Sequence, residues 1–483
     1  MHSITNDDLG RRLSFGNPWW GTNNETETIF PDLPKRAFYT GFFSRLHSQE
    51  PGRVLVMAGP PCVGKTTMLR QATADLLARG VAGEEILYCD LAAPSYGVTP
   101  PARLVEAAAA RFGHGPDSVL YLFFDEAQYL AGWREKLQAL ASAWPNARIV
   151  AAVSCDAGPA GSDWETFVLP PLTFAEFLNF RKDEERLHGG GASGAGGLTS
   201  GAMTMSPAAI PAFNDAFAEY VNFGGFPKGV VAGGGAGSGM DFIRDGVAGR
   251  VLHRDIAGRH GIGDPGDLER LFVVLARNTA SEVTIEELTG VVGVAKNTLR
   301  KYLDFLEQAF LIRRLPRLDR EGKRFQRAIA FKVYLTAPCL YAALFGPVTR
   351  DDRMFSRLAE TALVSQWLGS ADGGRLAYAS WRGGAIDLLE MNPETDKPDH
   401  VYEFDWHDGY ATPGPKADKG PAELTSFVAR TNGSAKTHIL TASTARRGAM
   451  AGIEITLAPL ALYAYRIGRD SKGGGSGTPN GGG

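Results

Sequence analysis

The chain has 483 residues, of which 44% are hydrophobic and 21% charged, and its formal net charge is −3. Because one hydrophobic core rarely serves more than about 250–300 residues, this length predicts about three domains. The near-neutral charge excludes an overall attraction to nucleic acid or to an acidic membrane surface, so any basic patch must be local.

The N-terminal stretch MHSITNDDLGRRLSF lacks the apolar run of a signal peptide, and no stretch approaches the roughly 18 apolar residues of a membrane span. Four cysteines lie far apart without the paired spacing of a metal site: Cys62, Cys89, Cys155 and Cys339. This usage favours a reduced cytosolic compartment. The sequence therefore predicts a soluble cytoplasmic protein with no membrane contact.

The N-terminal segment carries the sequence NPWW at residues 17–20. Two adjacent tryptophans can stack on a nucleotide base or pack against the domain that follows, and packing is the commoner role for rings of this size. The next stretch, PKRAFYTGFFSRL, predicts a short helix that leads into the first strand.

Residues 53–77 predict a buried strand, a glycine-bounded loop and a helix. The loop GPPCVGKTT fits GxxxxGK[ST], a pattern whose glycines let successive backbone N–H groups point at phosphate oxygens. Lys65 would reach the β- and γ-phosphates of ATP, and Thr66 would bind Mg²⁺. The alternative is a chance glycine loop. The predicted ATP-binding residues are Gly59, Pro60, Pro61, Cys62, Val63, Gly64, Lys65, Thr66 and Thr67.

Strand and helix signals alternate around this loop, which predicts a parallel sheet covered on both faces. The apolar run 119–124 predicts a central strand that ends in Asp125 and Glu126, at the edge where open α/β sheets bind ligands. Asp125 would hold Mg²⁺ through water, and Glu126 would polarise the attacking water. The alternative is an acidic N-cap for the next helix. Another strand, ARIVAAVSC, ends in Ser154, a predicted catalytic sensor that would hydrogen-bond the γ-phosphate or the attacking water. The predicted catalytic residues are Lys65, Glu126 and Ser154.

From Leu268 the sequence predicts three helices and then two strands around a turn at Glu321 and Gly322, which is the arrangement of a winged helix. Between Lys296 and Lys332 there are eleven basic residues and four acidic ones. Such a cluster suits contact with the DNA backbone. The alternative is a winged helix used for packing, with its arginines paired to carboxylates.

With these motifs in place, the chain resembles the prokaryotic AAA-type (AAA+-like) P-loop ATPases whose C-terminal domain has a restriction-endonuclease-like core. The matching segments are NPWW, GPPCVGKTT, LFFDEAQ, LPPLTFAEFL, YVNFGGFP and VAKNTLRKYLDFLEQAFLIRRLP. The resemblance implies ATP binding and hydrolysis, a winged helix between the two halves and a nuclease-like fold at the end. Family members usually carry one or two basic residues where this chain has Pro61 and Cys62.

The resemblance also implies a second, metal-binding set in the C-terminal domain. Nucleases of this fold use an acidic residue on a helix, an Asp on a strand and an ExK motif, and the matching positions are Glu360, Asp387 and Glu403. The lysine position of ExK holds Asp405, which adds repulsion and no positive charge for a phosphate. We therefore expect a module that does not cleave, and Lys397 and Lys416 are the candidate substitutes for the lysine.

The complete prediction is an α/β protein with a P-loop NTPase parallel sheet. Its predicted parts are an N-terminal segment (1–40), a P-loop ATPase domain (41–180), a helical lid with glycine-rich insertions (181–264), a winged-helix domain (265–340), an α/β endonuclease-like domain (341–467) and a disordered tail (468–483). The predicted function is a Mg²⁺-dependent ATPase that acts as a nucleotide-driven switch, with DNA and further copies of the chain as candidate partners. The alternatives are an ATP-gated protein that binds or cleaves DNA and a signalling scaffold that holds nucleotide without hydrolysis.

Overall fold

The structure is a computed structural model that describes most of the chain. The described residues are 6–21, 33–94, 96, 99–155, 164–187, 209–231, 238–256, 262, 265–325, 329–369, 375–410, 421–450 and 452–470. The predicted glycine-rich insertion at 189–201 lies outside them, as do Lys416 and the tail from 471 onward. No helix within these ranges is both long and apolar enough to cross a membrane.

The chain divides into two compact units, the first ending at Leu169 and the second beginning at Pro170. The first unit contains an all-parallel five-stranded sheet in the spatial order β2-β3-β4-β1-β5. Its strands are β1 (Val54–Ala58), β2 (Ile86–Asp90), β3 (Tyr121–Asp125), β4 (Arg148–Val153) and β5 (Trp164–Val168). Its α-helices are Asn6–Gly16, Tyr39–Ser48, Lys65–Ala78, Pro101–Phe112 and Trp133–Ala143, and its 3₁₀ turns are Pro18–Trp20, Gly83–Glu85 and Ala127–Tyr129.

Apolar runs form the central strands of this sheet. Every residue of β1 is buried, as is every residue of β4 after Arg148, which is typical of parallel strands covered on both faces. The strand predicted from Val119 begins two residues later, at Tyr121, and Val119 is 53% exposed. Since all strands run in the same direction and β4 lies between β1 and β3, the residues that follow these three strands meet at one edge.

The NPWW segment packs against β2, the outer strand of this sheet. Of the two roles that the sequence allows for the tryptophans, the structure has packing. The indole nitrogens of Trp19 and Trp20 both donate to the carbonyl oxygen of Ile86, at 3.1 and 2.9 Å. The Asn17 side-chain amide bonds to both backbone groups of Tyr88. These side chains therefore satisfy β2 backbone groups that an edge strand would otherwise leave unpaired.

The second unit contains a nine-stranded mixed sheet in the order β13-β14-β12-β11-β10-β9-β7-β8-β6. Its strands are β6 (Ser281–Thr284), β7 (Ile312–Leu318), β8 (Ala330–Leu335), β9 (Leu376–Trp381), β10 (Gly384–Met391), β11 (Pro398–Asp405), β12 (Lys436–Thr441), β13 (Arg446–Met450) and β14 (Ile453–Pro459). Its helices are Phe174–Phe180, Glu184–Leu187, Ile210–Phe223, Pro227–Val231, Ser238–Asp241, the π-helical Phe242–Ile256, Gly266–Arg277, Ile285–Val292, Lys296–Gln308, Cys339–Phe345, Arg353–Ser365, Ala422–Thr431 and Leu460–Asp470.

The three helices and hairpin that the sequence predicts after Leu268 occur in that order. The second helix begins at a capping box, in which the Thr284 hydroxyl accepts from the Glu287 N–H at 3.1 Å and the Glu287 carboxylate accepts from the Thr284 N–H at 2.9 Å. Leu299, Leu303 and Leu306 form the buried face of the third helix, as their spacing predicts. Strand β6, which the sequence did not reveal, pairs antiparallel with β8.

Strand β7 is the first strand of this hairpin and also pairs with the C-terminal strands. It pairs antiparallel with β8 on one side and parallel with β9 on the other. At the hairpin turn Gly322 is buried against Thr431, whose Cγ2 would lie 3.1 Å from a Cβ at Gly322. The predicted boundary at 340/341 falls inside the helix Cys339–Phe345, and strands from both sides of it belong to one sheet.

Separate apolar clusters cover the sheet of the second unit. The larger cluster includes residues from the region predicted as a helical lid, among them Phe213, Phe217 and Tyr220. The smaller cluster includes Phe427 and Val428, on the helix Ala422–Thr431. The helices between 210 and 231 therefore belong to the main core of this unit.

Candidate functional site in the first unit

The loop after β1 has the curled backbone that a phosphate cradle requires. Cys62 and Gly64 both have positive φ, at 66° and 101°, so the chain turns sharply at each of them. Position 59 requires glycine, because a Cβ on Gly59 would lie 2.1 Å from the carbonyl oxygen of Leu169. Pro60, Pro61 and Val63 are buried and Thr67 is half-buried, so the predicted loop residues form one packed turn at the start of the helix.

Lys65 points back across this loop. It is 5% exposed, and its Nζ donates to the carbonyl oxygens of Gly59 and Pro60 at 2.8 Å each and to Ser154 Oγ at 2.9 Å. All three of these acceptors are neutral oxygens. An anionic phosphate oxygen would be a stronger acceptor, because hydrogen bonds between charged groups are the stronger kind.

Thr66 and Asp125 lie directly against each other. Thr66 Oγ1 donates to Asp125 Oδ2 at 2.6 Å, the Tyr88 hydroxyl donates to the same oxygen at 2.9 Å, and Asp125 Oδ1 accepts from the Glu126 N–H at 3.0 Å. Hydroxyl and carboxylate oxygens are the ligands that Mg²⁺ prefers. Because the carboxylate is buried among neutral donors, the two predicted metal ligands fit a divalent cation.

Lys65, Ser154 and Glu126 form a connected chain of hydrogen bonds. Ser154 Oγ donates to Glu126 Oε2 at 3.3 Å and accepts from Lys65. Gln128 reinforces the chain, since its Nε2 donates to the same Glu126 oxygen and its Oε1 accepts from the Ser154 N–H at 3.1 Å. The helix Trp133–Ala143 begins after Gly132 with no side-chain cap, so Glu126 is not the acidic N-cap of the alternative prediction.

The backbone and the electrostatics of the carboxylate pair are both unusual. Glu126 has φ 51°, in the left-handed region that non-glycine residues seldom adopt and that often marks functional sites. Burial raises the pKa of Asp125, and the charge of Glu126 raises it further, while the hydrogen bond from Thr66 lowers it. A cation bound at this point would offset the cost of ionising Asp125.

Three residues at this site were not found from the sequence. Arg36 is buried, and its Nη1 donates to the carbonyl oxygen of Val63 at 2.6 Å, so it braces the loop from the side. Tyr88 and Gln128 hold the carboxylates of Asp125 and Glu126. The position of Gln128 in LFFDEAQ was the available signal, whereas the roles of Arg36 and Tyr88 depend on how distant segments meet.

Two of the three predicted carboxylates of the C-terminal region share a lysine partner, and the third does not. Glu360 Oε1 lies 2.6 Å from Lys332 Nζ and accepts from the Tyr334 hydroxyl at 2.5 Å. Asp387 Oδ1 lies 3.6 Å from the same ammonium. Glu403 instead accepts from the Tyr410 hydroxyl at 3.2 Å, and Asp405 accepts from the Tyr410 N–H at 2.7 Å. In the described ranges, no group of three or more His, Cys, Asp or Glu residues could hold a metal ion.

The lysine at this cluster comes from an element that the sequence assigned elsewhere. Lys332 lies on β8, in the predicted winged helix, while Lys397 is exposed in a turn and Lys416 lies outside the described residues. Lys332 is 6% exposed, and its ion pairs raise its pKa despite the opposing effect of burial. The structure therefore brings to Glu360 and Asp387 a lysine that the motif did not contain.

The basic cluster of the second unit divides into two groups. One group is engaged within the unit: Arg314 with Asp304 and Glu307, Arg317 with Glu282 and the Ser380 carbonyl, Arg324 with Asp396, and Lys332 with Glu360 and Asp387. The other group is exposed and includes Lys296, Arg300 and Lys301 on one helix. The structure thus contains elements of both alternatives, paired arginines in the hairpin and an exposed basic helix.

The first unit has the α/β P-loop NTPase fold that the sequence predicts. An AAA domain family model matches residues 51–178, which include the glycine loop, Asp125, Glu126 and Ser154. This match supports an AAA-type nucleotide-binding ATPase domain in the first unit. A second family model, described only as a domain of unknown function (DUF8612), matches residues 214–351 in the second unit.

The chain is also similar to individual proteins. An uncharacterized protein of Haemophilus influenzae is 25% identical over an alignment of 292 residues. The alignment covers 57% of this chain and 66% of that protein, so the match spans just under two thirds of the relative. Among solved structures, C. elegans PCH-2 is 10% identical with a TM-score of 0.27, over 44% of this chain and 65% of that one. AMPPCP-bound DnaA from Aquifex aeolicus is 12% identical with a TM-score of 0.24, over 56% and 85%. Scores this low carry no inference about this chain.

Proposed function

We propose that the first unit binds ATP and hydrolyses it with Mg²⁺, as a nucleotide-driven switch. The observation that supports this most is the meeting of Lys65, Ser154 and Glu126 with the pair Thr66 and Asp125 at one edge of the parallel sheet. This edge, at the carboxyl ends of the strands, is where open α/β sheets bind ligands. The AAA domain match covers all of these residues.

The glycine loop and Lys65 would bind the phosphates. Backbone N–H groups of the loop and the N-terminus of the helix Lys65–Ala78 would face the phosphate oxygens. Lys65 would exchange its bonds to the Gly59 and Pro60 carbonyls for charge-assisted bonds to phosphate. With Pro61 and Cys62 at the positions where relatives usually carry basic residues, Lys65 would be the main cation of the loop.

Thr66 and Asp125 would hold Mg²⁺. The bound cation would supply positive charge that offsets the negative charge of the phosphates. Their oxygens are already 2.6 Å apart, so both face the same point beside the loop. Asp125 is fixed there by the Tyr88 hydroxyl and by the Glu126 N–H. The protein would therefore present the ligands with little rearrangement of the carboxylate.

Glu126 would orient the attacking water and accept its proton. Its carboxylate is held by Ser154 and Gln128, and Ser154 is in turn bonded to Lys65, beside the place of the phosphates. A positioned general base of this kind typically contributes about 10²–10⁴-fold to a rate. Ser154 would sense the phosphate end of the nucleotide through the same contacts.

The test compares wild type, Lys65→Ala, Glu126→Gln and the matched control Lys136→Ala, an exposed lysine of the same unit. We expect Lys65→Ala to weaken ATP binding by about 10- to 100-fold, as for loss of a charged hydrogen bond. Glu126→Gln should bind ATP normally and release phosphate at least about 100-fold more slowly. Equal ATP affinity in wild type and Lys65→Ala would contradict the proposal. Wild type that retains nucleotide but releases no phosphate would favour the scaffold.

A second candidate function, DNA binding, is favoured by the exposed face of the helix Lys296–Gln308. Lys296, Arg300 and Lys301 are exposed on this helix, at spacings that place them on one side. A row of cations on a helix suits contact with phosphates. The hairpin contributes less, since Arg314 and Arg317 are engaged within the unit.

A filter-binding titration across salt concentration tests this candidate. Replacing Lys296, Arg300 and Lys301 together by alanine should reduce the slope of log affinity against log salt by about 2 to 3. Absence of binding by wild type at low salt rejects DNA as a partner. Phosphate release measured with and without DNA then shows whether binding is coupled to hydrolysis.

A further inference from the structure

The NPWW segment replaces a neighbouring strand at the edge of the first unit's sheet. Asn17 is 1% exposed; its Oδ1 accepts from the Tyr88 N–H at 2.6 Å, and its Nδ2 donates to the Tyr88 carbonyl at 3.0 Å. Trp19 and Trp20 bond to Ile86, two residues earlier on the same strand. A single side-chain amide thus occupies both backbone hydrogen-bonding groups of Tyr88, and the backbone there is fixed.

The side chain of Tyr88 is also held in place. Its ring is buried, and the guanidinium of Arg70 lies over it at 4.7 Å from the ring centroid. Arg70 stands on the helix Lys65–Ala78, one turn after Thr66. Because the backbone and the ring are both held, the Tyr88 hydroxyl has a defined position relative to the glycine loop.

That hydroxyl donates to Asp125 Oδ2 at 2.9 Å, the same oxygen that accepts from Thr66 at 2.6 Å. The other oxygen, Oδ1, accepts from the Glu126 N–H at 3.0 Å. Three donors therefore set the rotation of this carboxylate. Partners that orient a metal ligand typically change metal affinity by about 10- to 100-fold when removed.

We propose that Tyr88 is a positioning residue for the cation-binding carboxylate of Asp125, and that residues 17–20 are the brace that holds Tyr88 in place. The proposal rests on the proposed function, since it concerns the same Mg²⁺ site. It assigns to the NPWW motif a role in cation binding exerted through β2, without contact with the nucleotide base.

The test uses the full chain and measures Mn²⁺ binding by electron paramagnetic resonance in the presence of ATP. Tyr88→Phe keeps the ring under Arg70 and removes only the hydroxyl. We expect it to weaken Mn²⁺ binding by about 10-fold, with ATP affinity in EDTA unchanged. Tyr121→Phe, at the other end of β3, is the matched control and should bind Mn²⁺ like wild type. Asn17→Ala should weaken Mn²⁺ binding as well, through the loosened brace.

Mn²⁺ binding by Tyr88→Phe that equals wild type overturns the proposal. An equal loss of Mn²⁺ and of metal-free ATP affinity also overturns it, because that result indicates general damage to the fold rather than loss of positioning. If Asn17→Ala does not fold, the Mn²⁺ affinity of Tyr88→Phe alone tests the positioning role of Tyr88. A wild-type chain that binds no ATP even with Mg²⁺ present would instead remove the proposed function, and this inference with it.

Discussion

Two buried carboxylates, Asp125 in the first unit and Glu360 in the second, are surrounded in opposite ways. They are 2% and 6% exposed, and each accepts a hydrogen bond from a tyrosine hydroxyl. Asp125 otherwise accepts from the Thr66 hydroxyl and a peptide N–H, all neutral donors. Glu360 lies 2.6 Å from the ammonium of Lys332, which also neighbours Asp387.

This difference shows that the role of a carboxylate motif depends on the cationic groups that the fold brings next to it. A buried carboxylate with neutral donors retains a charge that a divalent cation can offset. A buried carboxylate with its own lysine is already paired, and a metal ion would compete with the ammonium. We therefore infer that the first cluster is suited to Mg²⁺ and that the second serves as an internal ion pair.

The largest expected effect follows removal of the Lys332 ammonium, which is paired with Glu360 and Asp387. Lys332→Met would leave the buried Glu360 and the half-buried Asp387 without their cationic partner, and loss of one member of a buried ion pair typically costs about 3–5 kcal/mol. We expect this loss in the unfolding free energy of the second unit at pH 8. Urea unfolding, with hydrogen exchange to locate the effect on β8 and β10, measures it.

The matched control is Lys296→Met, an exposed lysine of the same unit, which should change stability by less than about 0.5 kcal/mol. If Lys332→Met is as stable as this control, the pairing of Lys332 with Glu360 and Asp387 is not structural.

A second prediction concerns how the free energy of unfolding of the second unit depends on pH. Burial raises the pKa of Glu360 from 4.5 to about 7, although Lys332 opposes this. Between these pH values the folded unit keeps a proton that the unfolded chain has released, so the free energy of unfolding falls as pH rises, by up to about 3 kcal/mol. Denaturant unfolding at a series of pH values measures the slope.

Glu360→Gln should remove this part of the slope, whereas Glu286→Gln, on an exposed helix position, should keep it. Parallel pH profiles for wild type and Glu360→Gln would show that Glu360 does not hold the proton.

The smallest expected effect concerns the first unit. Asp125→Asn should leave its nucleotide-free stability unchanged or raise it by about 1 kcal/mol, because burial and the neighbouring Glu126 charge disfavour the ionised Asp125 more than the Lys65 charge favours it. The same variant should lose ATP-dependent Mn²⁺ binding. Thermal unfolding without nucleotide provides the measurement, and a loss above about 2 kcal/mol would show that the Asp125 charge stabilises the fold.

Local patterns were sufficient for much of the first unit. The apolar run of β1 adjoins the glycine loop, and the acidic end of β3 directly follows another apolar run, so a short local pattern was enough to predict each of them. Ser154 was found because it ends a strand in the same alternating series, and the parallel order then places it between Lys65 and Glu126.

The remaining features depend on contacts between distant segments. Lys332 reaches Glu360 and Asp387 only because β7 joins the hairpin to β9 in one sheet, a pairing that no local pattern encodes. Tyr88 reaches Asp125 because β2 and β3 are neighbours in parallel register. Arg36 contacts a loop that begins more than twenty residues later in the chain.

A crystal structure of the chain with a non-hydrolysable ATP analogue and Mg²⁺ tests the central claim most directly. We expect the triphosphate to lie against the backbone N–H groups of residues 62–66, with Lys65 on the β- and γ-phosphates and the cation beside Thr66 and Asp125. A glycine loop without nucleotide at saturating analogue, or a triphosphate bound elsewhere, would contradict it.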